Sequence, residues 1–458
     1  MTETISFDGL AAQITELNPV RAIGRVARVE GGVIHVSGLA NKARIGDLIV
    51  VYRAGEPLSG EVLQLDGEVL VMLPDEAPDG VALQDRAALL QPRGIAPSNA
   101  WIGRIIDPFG NPLDGKPLLR GAAARPLRRA PPDPGARRAL GERLNTGMAG
   151  LNTMLPIVRG QRVGLFAGSG VGKSSLLGHL AQNMTSDLVV IALIGERGRE
   201  LRHFIEDVLG TEGLKRAIVV CATSDQSPLI RRRCAWAAMS VAEHFRDQGR
   251  SVLFLADSIT RFAEAHREVA IAAGEAPVLR GFPPSTAHMI MSLCERAGPG
   301  QKQQGDITGV FSVLVAGSDM EEPISDILRG VLDGHIVLSR DIAERGRYPA
   351  IDMLRSISRS LPAAATEPQN ALIGQARHLL AAYDRNAMMI RAGLYSTGSD
   401  PELDTAIQIW PELDGFLAQV ERQNVENSFT QLELILRRAG SGNLPIRGGR
   451  SFRPNPAA

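Results

Sequence analysis

The sequence predicts an α/β protein in three parts: a small N-terminal β-barrel, a central parallel sheet clad in helices, and a C-terminal helical domain. Three observations carry this. Short strand-like runs broken by Gly and Asp turns fill Arg25 to Leu90, continuous apolar strands alternate with amphipathic helices after Gly160, and beyond about Ser360 strand patterns vanish. The expected parts are an N-terminal partner-binding helix over 1–22, the barrel over 23–95, the α/β core over 96–360 with a linker at about 120–140, the helical domain over 361–440, and a disordered tail over 441–458.

In chain order, Phe7, Leu10, Ile14 and Leu17 recur at steps of three and four, one face of a short helix that either packs on its own domain or meets a partner. The runs "GRVARVEGGVIHVSG", "GDLIVVYR" and "GEVLQLDGEVLVML" then read as strands of a closed barrel. "RPLRRAPPDPGARR" reads as a solvated linker; no aromatics interleave with its arginines, as a nucleic-acid face would require. In the core, "RVGLFA", "LVVIALI", "AIVVCA" and "SVLFLAD" are each followed by a helical pattern, which implies a parallel sheet covered on both faces. "IGQARHLLAAYDRNAMMI", "PELDTAIQIW" and "GFLAQVERQNVENSFTQLELILRR" read as the C-terminal helices.

Bulk properties exclude several classes. The 458 residues balance 50 Lys and Arg against 50 Asp and Glu, so no general pull toward nucleic acid or an anionic membrane exists. Cys221, Cys234 and Cys294 are too few and too dispersed for a disulfide framework or a zinc site and are expected as buried, inert thiols. No apolar run reaches the ~20 residues of a membrane span, and "MTETISFDGL" lacks the basic start of a secretory signal, so a cytosolic protein is expected.

The chemistry concentrates in "LFAGSGVGKSS". A P-loop places glycine, four residues and Gly-Lys-Ser/Thr between a strand and a helix. Here Gly168, Ser169, Gly170, Val171, Gly172, Lys173, Ser174 and Ser175 form the expected phosphate cradle, and Ala167 replaces the leading glycine. The glycines free amide N–H groups to face phosphate oxygens, Lys173 reaches the β- and γ-phosphates, and the Ser174 hydroxyl is offered to Mg²⁺. Asp257 ends "SVLFLAD" as a carboxylate at a strand tip, suited to the metal's water shell; capping the next helix is the alternative. For cutting rather than holding, a carboxylate must orient water. Glu196, beside Arg197 in "IGERGRE", occupies the end of a neighbouring strand, with a solvated ion pair as the plain alternative.

Together, "GSGVGKSSLL", "IGERGREL", "ADSITRFAEAHREVA", "RGFPP", "EPISD", "LDGHIVLSR", "YPAIDMLRSISR" and "GSDPELD" resemble the β-type subunits of rotary ATPases and, more closely, the ATPases of type III protein export, from about Gly24 to about Leu436. The resemblance implies a RecA-like core and an ATPase that binds ATP and Mg²⁺, works as a homohexamer with nucleotide between subunits, and energises or primes export. It implies Glu196 as catalytic glutamate with Arg197 following, Glu200 as an acid near the metal, Tyr348 in "RYPAID" stacking on adenine, and Arg359 in "SISR" as an arginine finger for the neighbouring subunit. Non-catalytic α-type subunits carry glutamine where Glu196 stands, so a catalytic chain is expected. The implied partners are a stator-like regulator at the N-terminus, a coiled-coil stalk in the pore, the export gate and chaperone–substrate complexes, with no nucleic acid. The implied location is cytoplasmic, peripheral at the cytoplasmic face of the inner membrane.

"FIEDVLG" and "TSDQSPLIR", with Pro228, look more like the flagellar branch than the injectisome branch. A rotary ATP synthase subunit and an RNA-dependent ring helicase share the core and remain as further alternatives. The chain departs from the family pattern at Asn152, where Asp is usual, at Ala316 and Ser318 in "VAGSD" for "VEGDD", and in the longer loop "GPGQKQQGD".

Overall fold

A computed structural model describes residues 8–16, 20–90, 94–278, 280–315 and 320–440. Strands β1 (Ile23–Glu30), β2 (Val33–Ser37), β3 (Leu48–Tyr52), β4 (Leu58–Asp66), β5 (Val69–Pro74) and β6 (Arg86–Leu90) close into a barrel in the order β1-β2-β5-β4-β3-β6. Alternating side chains fill it, among them Val26, Ile34, Val36, Ile49, Val51, Val62 and Met72, all essentially without solvent exposure. Gly31 and Gly32, with φ of 60° and 80°, make the tight β1–β2 turn that only a left-handed pair allows.

The central sheet comprises β7 (Ile105–Ile106), β8 (Arg162–Ala167), β9 (Leu188–Glu196), β10 (Ala217–Thr223), β11 (Ser251–Asp257), β12 (Gly298–Pro299), β13 (Asp306–Leu314), β14 (Gly334–Leu338) and β15 (Ile357–Ser358). Its order is β15-β14-β8-β13-β11-β9-β10-β7, with β12 beside β13. The pairs from β14 through β7 are parallel, and only β12 and β15 pair antiparallel. Phosphate-loop strand and Asp257 strand are therefore not neighbours: β13, a strand the sequence reading passed over, lies between them. Buried residues on both sheet faces confirm the doubly covered core.

The C-terminal helices Glu367–Arg391, Pro401–Ala418 and Val425–Gly440 join one of these clusters through Leu379, Leu413, Phe416, Leu432 and Leu436. The run expected as one helix from Gly415 onward is broken. Gln419 and Glu421 instead pair with the backbone of Ala149 and Gly147, a competing set of hydrogen bonds that ends the helix at Ala418.

The segment expected as a solvated linker is anchored to the core by its arginines. Arg125 and Arg129 reach Asp247 at 2.6 and 3.1 Å, Arg138 reaches Asp306 at 2.6 Å, and Arg128 lies 4.4 Å over the Trp236 ring. Most of its residues are exposed, and acidic partners supplied by tertiary contact, invisible in the local composition, tie its arginines to the core. Glu61 of the barrel accepts from Arg232 at 3.0 Å, which docks the barrel on the core. The N-terminal helix spans Asp8–Glu16 and sits on its own chain: a Cβ at Gly9 would stand 2.0 Å from the Arg120 carbonyl oxygen. Ile14 is exposed, whereas Phe7, Leu17, the tail from 441, and the departures at Ala316 and Ser318 lie outside the described residues.

Asn152 has a physical account. It is fully buried; its Oδ1 accepts from the Thr146 amide and hydroxyl, both at 2.8 Å, and its Nδ2 donates to Asn145 Oδ1 at 3.0 Å and Ser428 Oγ at 3.2 Å. Only an amide supplies both acceptor and donors, so a carboxylate here would leave two acceptors facing each other. The three cysteines are free and buried as expected, and burial pushes the Cys221 thiol up to about 12.

Candidate active site

The phosphate cradle forms where β8 hands over to the helix Lys173–Asn183. Ala167 is buried, pairs with Leu314 and Leu338 on either side, and is absent from the residues with positive φ. Its methyl thus belongs to the core, and the missing glycine costs the loop nothing. Gly170 and Gly172 have φ of 77° and 90°, the left-handed geometry that turns successive amides inward. A Cβ at Gly172 would meet the Tyr348 ring at 3.2 Å, so Tyr348, itself half exposed, closes one side of the cradle.

Beneath the cradle, Lys173 Nζ contacts Asp257 Oδ1 and lies 3.8 Å from Glu196 Oε1. The parallel register of β9 and β11 sets the two acids side by side at the strand ends, with Asp257 opposite Leu193. Two carboxylates facing one ammonium leave the pocket short of positive charge. Burial, the charge of Asp257 and a hydrogen bond with Glu200 push the Glu196 carboxyl up to about 7, and Lys173 and Arg261 only partly oppose them. Such a carboxylate is poised to exchange a proton near neutrality.

Of the residues expected from sequence, the structure gathers the loop 168–175, Lys173, Glu196, Asp257, Glu200 and Tyr348. Arg197 points outward, 72% exposed, and pairs with Glu200 at 3.7 Å. Arg359 lies elsewhere. Its amide donates to Asp333 O and its Nη2 to Arg329 O, both at 3.0 Å, and Asp333 binds Arg162 at the start of β8. The cradle leaves the other end of that strand, roughly 20 Å away for its six residues. One arginine side chain cannot span that.

Residues missed from sequence are Arg261, Thr260 and Ser312. Arg261 stands one helical turn after Asp257 and, with Arg231, packs against Gly195, whose φ of 68° bends the end of β9. Its spacing from Asp257 was a readable signal. Ser312 Oγ donates to Asp257 Oδ1 at 2.6 Å; its only sequence signal was a hydroxyl in the mostly apolar strand "DITGVFSVL".

Residues 147–358 match the nucleotide-binding domain of the ATP synthase alpha/beta family, and residues 365–434 match the C-terminal domain of the type III secretion ATPase EscN. The chain is 44% identical over 438 residues to the flagellum-specific ATP synthase of Caulobacter vibrioides, across 93% of this chain and 98% of that one. The chain belongs to the flagellum-specific ATP synthase family. A further member, from Salmonella typhimurium, is 41% identical across 94% of this chain and 97% of its own. Among solved structures, the assembled ATPase EscN of the enteropathogenic E. coli type III secretion system superposes with a TM-score of 0.81 at 34% identity, over 90% of this chain and 100% of that one. EscN in complex with its central stalk EscO gives the same TM-score at 36% identity. The family's nucleotide-binding core makes the protein an ATPase, and the barrel, parallel core and helical end match the fold expected from sequence. No helix among the described residues is long and apolar enough to cross a membrane.

Proposed function

We propose that the protein hydrolyses ATP with Mg²⁺ to energise or prime export of flagellar subunits, as a homohexamer whose sites are completed across subunit boundaries. One observation carries the reading: Lys173, Glu196 and Asp257 converge under a phosphate cradle while Arg359 sits at the far end of the same sheet. With Lys173 and Arg261 as the cations of its own chain that act on Glu196, such a site fits a further arginine from a neighbour on the transferring phosphoryl group.

The residues fit both ligands. Gly170 and Gly172 open the backbone to phosphate, Ser174 and Asp257 would hold the metal with Glu200 nearby, and the pocket's excess negative charge suits a divalent cation. Bound there, Mg²⁺ supplies Lewis-acid charge on the phosphoryl oxygens. Within this chain, Lys173 neutralises phosphate oxygens and Glu196 as carboxylate takes a proton from the attacking water. Tyr348 stacks on adenine, Arg197 with Glu200 borders the water, and Arg359 neutralises the transferring group of the adjoining subunit. The part boundaries follow the same reading, with nucleotide chemistry confined to 96–360 and partners met by the ends.

The assembled EscN and its complex with the central stalk EscO support an oligomer with a stalk partner, here taken as a coiled coil in the pore. A stator-like regulator at the N-terminal helix, the export gate, chaperone–substrate complexes and a peripheral place at the cytoplasmic face of the inner membrane complete the proposal. Equal mixtures of Glu196→Gln and Arg359→Ala test it: each variant alone should be inactive and mixing should restore some turnover. A normal Arg359→Ala enzyme would overturn the shared site. The EscN likeness favours the injectisome branch as second reading. Restored motility, rather than secretion, in a strain lacking its own flagellar ATPase separates the two.

A further inference from the structure

The end of β13 is a bracket between the two halves of the nucleotide site. On one side Val315 N donates to Ala167 O at 3.0 Å, and its carbonyl lies against Gly168, which ties the strand to the start of the phosphate cradle. On the other side Leu314 N donates to Thr260 Oγ1 at 2.9 Å, and Ser312 Oγ donates to Asp257 Oδ1 at 2.6 Å, which ties it to the turn that carries the metal carboxylate. Register enforces this: Ser312 lies opposite Leu165 of β8, and its predecessor Phe311 opposite Ala256 of β11.

Ser312 is wholly buried in β13, whose other buried polar side chains, Asp306 and Thr308, are satisfied by Arg138 and by the Gly160 amide. A buried hydroxyl is costly unless bonded, and its one polar side-chain partner among the described residues is the Asp257 carboxylate. Both Ser312 and Lys173 engage Oδ1, so both fix the same oxygen, and no hydrogen bond among the described residues holds Oδ2.

We propose that Ser312 is a positioning residue for metal binding: its hydroxyl holds the Asp257 carboxylate in the one rotamer that turns Oδ2 toward the cation, while Thr260 locks the adjoining turn to the same strand. The inference rests on Asp257 serving the metal, as proposed above. Groups that orient a ligand of a metal typically change its affinity or the activity by about 10–100-fold when removed.

The test uses the full-length protein with Ser312→Ala, Ser312→Cys and Asp257→Asn. Mn²⁺ affinity in the presence of ADP is read by electron paramagnetic resonance, metal-free ADP affinity by fluorescence, and the Mg²⁺ dependence of turnover alongside. Ser312→Ala is expected to weaken Mn²⁺ binding about tenfold, to raise the half-saturating Mg²⁺ in step, and to leave metal-free ADP affinity unchanged. Ser312→Cys, which keeps the packing but donates weakly, should fall between wild type and alanine; it carries the test if the alanine variant fails to fold. Mn²⁺ affinity within twofold of wild type in folded Ser312→Ala, or wild-type Mn²⁺ affinity in Ser312→Cys where alanine does not fold, overturns the inference. Asp257→Asn separates the two levels: if it too leaves Mn²⁺ affinity unchanged, the metal reading of Asp257 falls first.

Discussion

Two buried ionic clusters in the core are built from similar residues and differ in balance. In one, Arg296 grips Glu243 with Nε at 3.0 Å and Nη2 at 2.8 Å, and its remaining donors reach Ser240 Oγ and Leu127 O, so a single positive charge meets a single negative one with both side chains 2% exposed. In the other, Glu196 and Asp257 share one lysine, and the Glu196 carboxyl is driven up to about 7. The satisfied pair holds helices together and has nothing left to bind. The unsatisfied one is short of cations in the protein alone, which is the condition of a site whose ligand brings its own.

That contrast can be broken at several points. The largest effect is expected from Arg359→Ala, which on the proposed role as arginine finger should cut kcat by about 10³–10⁵ while leaving assembly intact, since such a finger acts on charge in the transition state. Size-exclusion chromatography beside the assay checks both halves. Glu196→Gln should cost about 10²–10⁴ in rate and leave the melting temperature equal or higher, because it removes a repulsive buried charge. A destabilised variant would show that the cluster is structural after all.

Arg296→Ala should do the reverse. Leaving Glu243 buried without its partner is expected to cost about 3–5 kcal/mol of stability, seen by denaturant unfolding, with turnover per folded molecule retained. A finer probe is pH. Glu196 must be ionised to accept a proton, so kcat/KM should climb toward about 7 and level off above it. The same raised carboxyl favours the folded state in its protonated form, so its contribution to stability is present below the ordinary carboxylate range and is lost as pH rises through about 7. The smallest effect is that of Glu200→Ala, which removes the hydrogen bond that helps raise Glu196 and should move this limb to lower pH.

Much of the site was readable because its parts are local. The cradle is a contiguous run, Glu196 and Asp257 end strands of continuous apolar text, and each is followed by a helix pattern. Tyr348 and Arg359 came only through family resemblance; nothing in their neighbours marks them. The anchoring of the exposed linker was not readable because its arginines find Asp247, Asp306 and Trp236 from distant segments. The single C-terminal helix was misread for a long-range reason: Gly147 and Ala149 compete for its backbone from far away in the chain.

The sequence by itself therefore determined the three-part fold, the phosphate loop and the two acids at strand ends proposed as base and metal carboxylate, since periodicity, glycine placement and charge at strand ends act over a few residues. Only the tertiary structure decided that β13 enters between β8 and β11, that Ser312 thereby meets Asp257, and that Arg359 lies a strand's length from its own cradle. Strand order is fixed by which buried faces and edges fit best across the whole sheet, and that fit is a property of long-range packing rather than of any window of residues.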